Sequence, residues 1–270
     1  MHLVPLLLYA AATAAYVAHF AWRDPRVGRL ATAALGAGVL AHTFLIGMQT
    51  VEAGHAPLVG TSAAISAFVW LLGLSYLYVE LSSDERAMGA FVAVLLVALD
   101  VIPALDPTVT PRPPLLRSPL FTVHVVSMLF AYASFALAFV LGITYVLLFN
   151  EIKAKHLGFF YARLPSLQVL DRMNRRTVVF GWVCLTIGLI VGVVWAQYAN
   201  SDPRVQAMSL QDPKIFVAVI CWVVYSFELF AAPRIGWGGR RTAYLSAVGF
   251  LIVLLNFVPI SYFSSGSHDF

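Results

Sequence analysis

The chain has 270 residues, of which 60% are hydrophobic and only 11% are charged. A soluble domain carries about 25% charged residues, so this composition excludes a soluble globular protein and indicates an integral membrane protein. The net charge of +4 does not favour nucleic-acid binding, because the basic residues punctuate apolar runs and form no patch.

Eight apolar runs meet or approach the length of a membrane-spanning helix, which needs about 20 residues to cross a core of about 30 Å. They predict an all-α integral membrane protein, with one eight-transmembrane-helix bundle as a single domain over residues 1–270. The predicted spans are Leu3–Trp22, Arg29–Gln49, Thr61–Leu81, Met88–Leu105, Leu120–Asn150, Thr177–Tyr198, Pro213–Ala232 and Thr242–Phe263. The fourth span is the weakest, because it is short and is interrupted near its end by Pro103.

The distribution of Lys and Arg predicts the orientation of these spans, because cytoplasmic loops are enriched in basic residues. One set of alternate connectors holds thirteen of the 17 basic residues. The opposite set holds only Arg112, Arg117, Arg204 and Lys214. The richer set is therefore predicted to be cytoplasmic, with both termini on the outer side of a bacterial-type inner membrane.

Four of the seven histidines fall near the predicted outer face. His42 lies in the outer half of the second span, His55 in the next connector, His124 in the first turns of the fifth span, and His268 close to the C-terminus. Neutral imidazole is the usual protein ligand of haem iron, and two axial histidines must come from different elements at matching depth. His124 and His268 meet this condition, with His42 as an alternative ligand. The sequence equally favours ordinary interfacial hydrogen bonds for these imidazoles.

Small residues share the helical face of His124 and predict a close approach at that point. The positions on this face are Ser127, Met128, Ala131, Phe135 and Ala138. Such a face admits either a neighbouring helix or a flat ligand.

Charged residues near the span ends complete the candidate site. The four outer cations, Arg112, Arg117, Arg204 and Lys214, are candidates for binding the propionates of a haem. Asp100 either orients a ligand histidine or is a water-exposed carboxylate at a helix end, and the second interpretation is favoured. Glu80 and Glu228 lie near inner span ends, where pairing with cytoplasmic arginines is expected.

Four segments resemble the CcsA-type cytochrome c assembly family, which handles haem at the outer face of the membrane. In chain order they are "GHAPLVGTSAAISAFVW", "VHVVSMLFAYASFALAFVLGITYVLLF", "GLIVGVVWA" followed by "DPKIFVAVICWVVYSFEL", and "GWGGRRTAYLSAVGFLIVLLNFVPISYFSSGSHDF". Their order and spacing match the family from about residue 40 onward. The resemblance implies non-covalent binding of haem b, with His124 and His268 at the positions of the two external haem ligands. Trp195 and Tyr198 are then candidates to flank the ring.

The sequence departs from the family pattern at three places. The tryptophan-rich motif, roughly WGxxWxWDPKE, is replaced by "YANSDPRVQAMSLQDPKI", so that only Asp212-Pro213-Lys214 and the upstream Trp195 remain. Phe230 stands where the family has an intramembrane histidine, and Gly60 to Ala63 replace an Asn and Glu-Ser motif. What remains is more similar to the HemX/YpjD-like branch, shorter proteins linked with haem metabolism that often carry a histidine in the second span, here His42.

The leading functional hypothesis is a haem-binding membrane protein that handles or senses haem near the outer leaflet, in haem metabolism or cytochrome c biogenesis. Its expected partners are haem, the lipid bilayer and either a haem-synthesis enzyme or a cytochrome c assembly protein. The alternative is a membrane adaptor that docks a haem-synthesis enzyme through the basic inner connector 150–176 without needing haem. The spans contain few charges and the sequence shows no internal repeat, which disfavours a transporter. The sequence also shows no nucleophile beside a base, so it does not favour an enzyme.

Overall fold

The computed structural model describes residues 2–106, 118–155, 158–200 and 213–255, without the side chains of residues 199–200, 213–214 and 255. Within these ranges the chain is helical and contains no strand. The helices are α1 (Leu3–Trp22), α2 (Pro25–Ala53), α3 (Thr61–Ser83), α4 (Gly89–Leu105), α5 (Pro119–Lys153), α6 (Phe159–Arg163), α7 (Leu167–Asn200), α8 (Pro213–Ser226) and α9 (Arg240–Leu255). A π-helical turn, Phe227–Ala231, continues α8, and a 3₁₀ turn, Pro233–Ile235, follows it.

Within the described residues, a helix overlaps each of the eight predicted spans, and α1 has the predicted bounds. Five of these helices are long and apolar enough to cross a membrane, namely α1, α2, α3, α5 and α7. Two shorter apolar helices cover Gly89–Leu105 and Ile215–Ala231. Helix α9 reaches Leu255, where the described residues end. The prediction of an all-helical membrane protein is confirmed, whereas the count of eight spans and the orientation stay predictions.

The connection between α1 and α2 is a tight turn of two residues. Arg23 takes a left-handed conformation with φ of 57° and ends α1. The Asp24 carboxylate accepts a hydrogen bond from the backbone N–H of Arg26 at 2.8 Å and so caps α2, whose first residue is Pro25. The two helices consequently run antiparallel and pack against each other.

Helix α5 occupies the centre of the described bundle and packs most extensively against α7, then α9 and α3. Its 35 residues extend about 50 Å, more than the thickness of a bilayer core. Ala131, Ala133, Ala136 and Ala138 in its middle are at most 1% exposed. Helices associate in a membrane through close approach of backbones at small residues, and this run of alanines provides it.

Helix α7 packs against α5 through three glycines. The pairs, with the distance at which a glycine Cβ would meet the facing side chain, are Gly181 and Phe135 at 2.7 Å, Gly188 and Met128 at 2.8 Å, and Gly192 and His124 at 2.6 Å. The spacings of seven and four residues are the same on both helices, as expected for an antiparallel seam. The predicted close-approach face of α5 is thus covered by a neighbouring helix at Met128 and Phe135.

Helices α8 and α9 close the opposite side of α5. Phe135 stacks on Tyr225 of α8, with ring centroids 3.7 Å apart and planes inclined by 8°. A Cβ at Gly142 would lie 2.7 Å from the carbonyl oxygen of Ala243 in α9. These contacts fix the rotation of α5 about its axis, and with it the direction of His124.

Candidate functional site

His124 lies in the second turn of α5 and is half-buried against α7. Its Nδ1 is 2.7 Å from the backbone carbonyl oxygen of Gly188. A carbonyl group can only accept, so Nδ1 carries the hydrogen of the neutral ring and the lone pair is on Nε2. Histidines that bind metals are usually oriented in this way, with the non-ligating nitrogen donating to a carbonyl or carboxylate. The geometry therefore suits coordination through Nε2.

The absence of a side chain at Gly192 allows His124 to reach that carbonyl. A Cβ at this position would lie 2.6 Å from Nδ1 and 2.7 Å from Cε1 of the imidazole. The facing ring would have to move if any side chain were present. Neither Gly188 nor Gly192 was predicted from the sequence as a site residue. The available signal was the spacing of four residues, which these glycines share with Met128 and His124.

Trp195 packs at the same end of the α5–α7 seam as His124. Its side chain is 4% exposed, and its ring centroid lies 5.0 Å from that of Phe121. Val59, from the connector between α2 and α3, completes this small apolar cluster. Tyr198, in the next turn, is 68% exposed. Trp195 therefore braces the first turn of α5, close to the candidate ligand.

His42 lies in a different helix interface and is only 1% exposed. Its Nδ1 is 3.2 Å from the hydroxyl oxygen of Tyr9 in α1, and its Nε2 is 2.9 Å from the hydroxyl oxygen of Ser66 in α3. Both ring nitrogens are thus engaged by side chains. Coordination of iron by His42 would require one of these hydrogen bonds to break.

Asp100 is buried, with 3% exposure, which corrects the favoured expectation of a water-exposed carboxylate. It lines a cavity of about 10 Å³ together with His2, His42, Gln49, Ser62 and Ser66. Its Oδ2 has no hydrogen-bond partner among the residues that the structure describes. A cavity of this volume has room for about one water molecule and excludes a macrocycle.

Glu80 is also buried, at 1% exposure, and is held by hydroxyl groups. It accepts hydrogen bonds from the hydroxyl of Tyr16, at 2.6 Å, and from the hydroxyl of Thr32. Arg86 donates to Thr32 at 3.3 Å and forms its ion pair with Asp84. The expected direct pairing of Glu80 with an arginine is therefore wrong, because two neighbouring helices supply neutral donors instead.

Glu228 belongs to the π-helical turn that follows α8. Its Oε1 accepts from the hydroxyl of Ser246 at 2.7 Å and lies 3.5 Å from the amide nitrogen of Asn174. No ion pair to Glu228 occurs within the described ranges, so its expected pairing with arginine is wrong as well. Phe230, two residues on, packs its ring edge-on against Trp182 at 5.3 Å.

Several predicted site residues lie outside the described part of the chain. These are His268, Arg112, Arg117 and Arg204, and of Lys214 only the backbone, in the first turn of α8, is described. The axial pairing of His124 with His268 and the propionate contacts therefore stay predictions. Within the described ranges, no group of three or more His, Cys, Asp or Glu residues is placed to hold a metal ion.

Comparison with known proteins defines the class to which this helical bundle belongs. The model of the family described as "Cytochrome C assembly protein" matches residues 2–268. The chain therefore belongs to the cytochrome c assembly protein family, which confirms the resemblance read from its four segments. The closer similarity to the HemX/YpjD-like branch stays a prediction.

Three similar proteins from different organisms share the same name. The "Cytochrome c biogenesis protein CcsA" of Guillardia theta is 29% identical over 248 residues, covering 84% of this chain and 81% of the relative. The protein of the same name from Trieres chinensis is 26% identical over 259 residues, with the same two coverages. That of Parasynechococcus marenigrum is 26% identical over 246 residues, covering 81% of this chain and 79% of the relative.

Proposed function

We propose that this chain is a membrane protein of cytochrome c biogenesis that binds haem through His124. The biogenesis role is supported by the family match and by the names of the similar proteins. The haem role rests chiefly on one observation, the 2.7 Å hydrogen bond from Nδ1 of His124 to the Gly188 carbonyl. This bond sets the tautomer whose Nε2 binds iron, and it holds the ring against a helix backbone.

In the proposed site, His124 and His268 would hold the iron of haem b near the outer leaflet, without covalent attachment. The Gly188 carbonyl increases the basicity of the His124 imidazole, because it accepts the hydrogen of Nδ1. Gly192 leaves the space that the ring needs, and Trp195 keeps the first turn of α5 in place. The propionates are bound by outer cations, for which the candidates are Arg112, Arg117, Arg204 and Lys214. The bound haem supplies an iron that accepts two imidazole ligands.

The experiment is an absorption spectrum of protein purified in mild detergent from haem-supplied cells, in oxidised and reduced forms. The wild type is expected to show a low-spin Soret band. His124→Ala and His268→Ala are expected to lose the haem or shift it to high spin, and His42→Ala to retain it. A wild type that binds no haem after reconstitution would contradict the proposal. Loss of haem in His42→Ala alone would identify His42 of α2, and not His124, as the ligand.

A second candidate function is the membrane adaptor, and the geometry of α6 favours it. The Glu151 carboxylate accepts from the backbone N–H of Tyr161 at 2.5 Å, and Arg23 donates to the Ala162 carbonyl at 2.7 Å. The short helix is thereby fixed on the bundle while Phe159 and Tyr161 remain about half exposed. Such a surface would dock a soluble partner, for which the candidates are a haem-synthesis enzyme and a cytochrome c assembly protein.

The adaptor function is tested by replacing both exposed aromatic residues, Phe159→Ser with Tyr161→Ser. If docking is the function, cytochrome c maturation in cells falls while the haem spectrum of the purified protein is unchanged. The reverse result, with maturation lost in His124→Ala and normal in the α6 double variant, would exclude the adaptor.

The proposed topology is one domain of eight spans in a bacterial-type inner membrane, with both termini outside. Its support is the excess of basic residues in alternate connectors. Reporter fusions test it. Alkaline phosphatase is expected to be active when fused after Ala56 and inactive when fused after Lys155. Activity at both positions, or only at the second, would contradict the orientation.

A further inference from the structure

A second cavity, of about 170 Å³, lies where α1, the α3–α4 connector and α6 meet. Its lining residues are His19, Phe20, Arg23, Glu85, Ala87 and Arg163. Because α1 and α2 are joined by only two residues, the cavity sits at the membrane surface where these two spans end. Its volume is about 17 times that of the cavity beside Asp100, which admits a small polar group.

Two arginines of the lining are held in place by contacts that leave them able to bind an anion. Nη1 of Arg23 donates to the Ala162 carbonyl oxygen at 2.7 Å. The guanidinium carbon of Arg163 lies 4.4 Å from the centre of the Phe159 ring, a cation–π contact. A guanidinium has five N–H donors, so both arginines keep donors for a planar, two-pronged contact with phosphate oxygens.

The remaining polar groups of the lining do not cancel this charge. The Glu85 carboxylate accepts the backbone N–H of Ala87 at 3.1 Å. His19 donates from Nδ1 to the Asp24 carbonyl, at 2.9 Å. With two guanidinium groups against one carboxylate, the lining has a net charge of +1.

Exposed aromatic side chains surround the cavity, as expected at the depth of lipid headgroups. Trp22, which precedes Arg23, is 76% exposed, and Phe159 and Tyr161 of α6 are 55% and 49% exposed. Exposed aromatic residues mark the depth of the headgroups in membrane proteins. A basic cavity between helix ends with aromatic side chains beside it combines contacts for a phosphate and for the adjoining acyl region.

From this combination we infer that the cavity between Arg23 and Arg163 binds the phosphate of an anionic phospholipid. The site needs no haem and is independent of the proposed haem binding, whereas the adaptor candidate would use the same exposed aromatic residues of α6 for a soluble partner. The excess of basic residues on this side assigns the lipid to the cytoplasmic leaflet in the proposed topology. A free phosphate ion would make the same contacts with the two arginines, but it has no acyl region to contact the exposed aromatic residues.

Native mass spectrometry tests the inference on the full chain in detergent micelles that contain equal amounts of phosphatidylglycerol and phosphatidylcholine. The wild type is expected to retain phosphatidylglycerol preferentially. Arg23→Gln and Arg163→Gln are each expected to lower that preference about fivefold, as for one basic residue near an anionic membrane surface. At position 23 glutamine keeps an amide donor for the Ala162 carbonyl, and at position 163 it removes the charge over the Phe159 ring.

Two further variants separate the cavity from general surface charge. Glu85→Gln removes the one carboxylate of the lining and is expected to raise the preference, since the glutamine oxygen still accepts from Ala87. Arg234→Gln neutralises an exposed arginine outside the cavity and is expected to have no effect. Unchanged size-exclusion elution of all four variants establishes that they fold.

Three results would overturn the inference. One is an unchanged lipid preference in Arg23→Gln and Arg163→Gln. Another is an equal loss in Arg234→Gln, which would show attraction to the whole basic surface. A third is displacement of phosphatidylglycerol by excess inorganic phosphate, because the site would then bind a soluble anion.

Discussion

His124, the leading candidate ligand, and His42, the alternative, differ in how their rings are held. His42 is enclosed between α1 and α3, with a side-chain hydroxyl at each nitrogen. His124 lies on the seam between α5 and α7, with Nδ1 held by a backbone carbonyl. A ring whose two nitrogens both have side-chain partners ties helices together. In metal sites, a hydrogen bond from one ring nitrogen to a backbone carbonyl orients the ring for coordination through the other nitrogen.

The two regions also differ in what would disturb them. Around His42 the contacts are made by the ends of side chains, so changing one of them removes one hydrogen bond. Around His124 the contact depends on how closely two helix backbones approach, so one added methyl group displaces the ring. Substitutions at glycine are therefore expected to affect haem, whereas substitutions around His42 are expected to affect stability.

The largest expected effect is that of Gly192→Ala. The new Cβ would lie 2.6 Å from Nδ1 of His124, so the ring must rotate away from the Gly188 carbonyl. We expect loss of the low-spin haem spectrum, and destabilisation of about 1–3 kcal/mol from overpacking. Haem absorption and the thermal unfolding midpoint in detergent measure the two effects.

Gly36→Ala in α2 is the matched control for this substitution. A Cβ there meets no atom within 4 Å, so haem absorption should not change and stability should stay the same or rise slightly. If Gly192→Ala has a wild-type haem spectrum, the seam does not position the haem ligand.

His42→Ala is expected to give the next largest effect, on stability alone. It leaves the hydroxyls of Tyr9 and Ser66 without their partner in a buried site and creates a cavity, at a cost of about 2–4 kcal/mol. The haem-to-protein ratio should equal that of the wild type. A stable protein without haem would instead identify His42 as the ligand.

Gly188→Ala is expected to have a smaller effect than Gly192→Ala, although it is one turn away on the same seam. Its Cβ would lie 2.8 Å from the sulfur of Met128, and a methionine side chain is flexible enough to move aside. Haem should be retained, with a loss of about 1 kcal/mol or less in stability. Loss of haem equal to that of Gly192→Ala would mean that haem binding depends on the packing of the whole α5–α7 seam and not on the His124 ring in particular.

Tyr9→Phe should have the smallest effect. It removes one hydrogen bond to Nδ1 of His42 and keeps the ring volume, which costs about 1 kcal/mol. The haem spectrum should be unchanged, and the unfolding midpoint should fall less than in His42→Ala. A changed haem spectrum in this variant would mean that the region around His42 affects haem binding, contrary to the separation of the two histidines in the structure.

Helix positions could be predicted approximately from the sequence, because an apolar run of about 20 residues marks each span. Leu3–Trp22 is an example, since Trp22 is followed at once by the polar turn. The family also could be recognised, from the order of four segments. His124 could be placed near a span end for the same reason, because its depth follows from its distance to Ser118.

Side-chain partners could not be predicted, because they depend on the rotation and register of each helix. The burial of Asp100 follows from the face of α4 that turns inwards, and the sequence offers no measure of that rotation. Glu80 was expected to pair with an arginine because both lie near the same membrane surface. Depth alone does not distinguish Arg86 from the hydroxyls of Tyr16 and Thr32, which are the actual donors.

The length of α7 mechanically connects the His124 region to the opposite end of the bundle. One continuous helix runs from Leu167 to Asn200, and the carbonyl of Gly188 that orients His124 is part of it. A rigid helix moves as a unit, so a partner that tilts or shifts its first turns also moves that carbonyl. The reduction potential of an iron bound to His124 would then report, on one side of the bilayer, an event on the other.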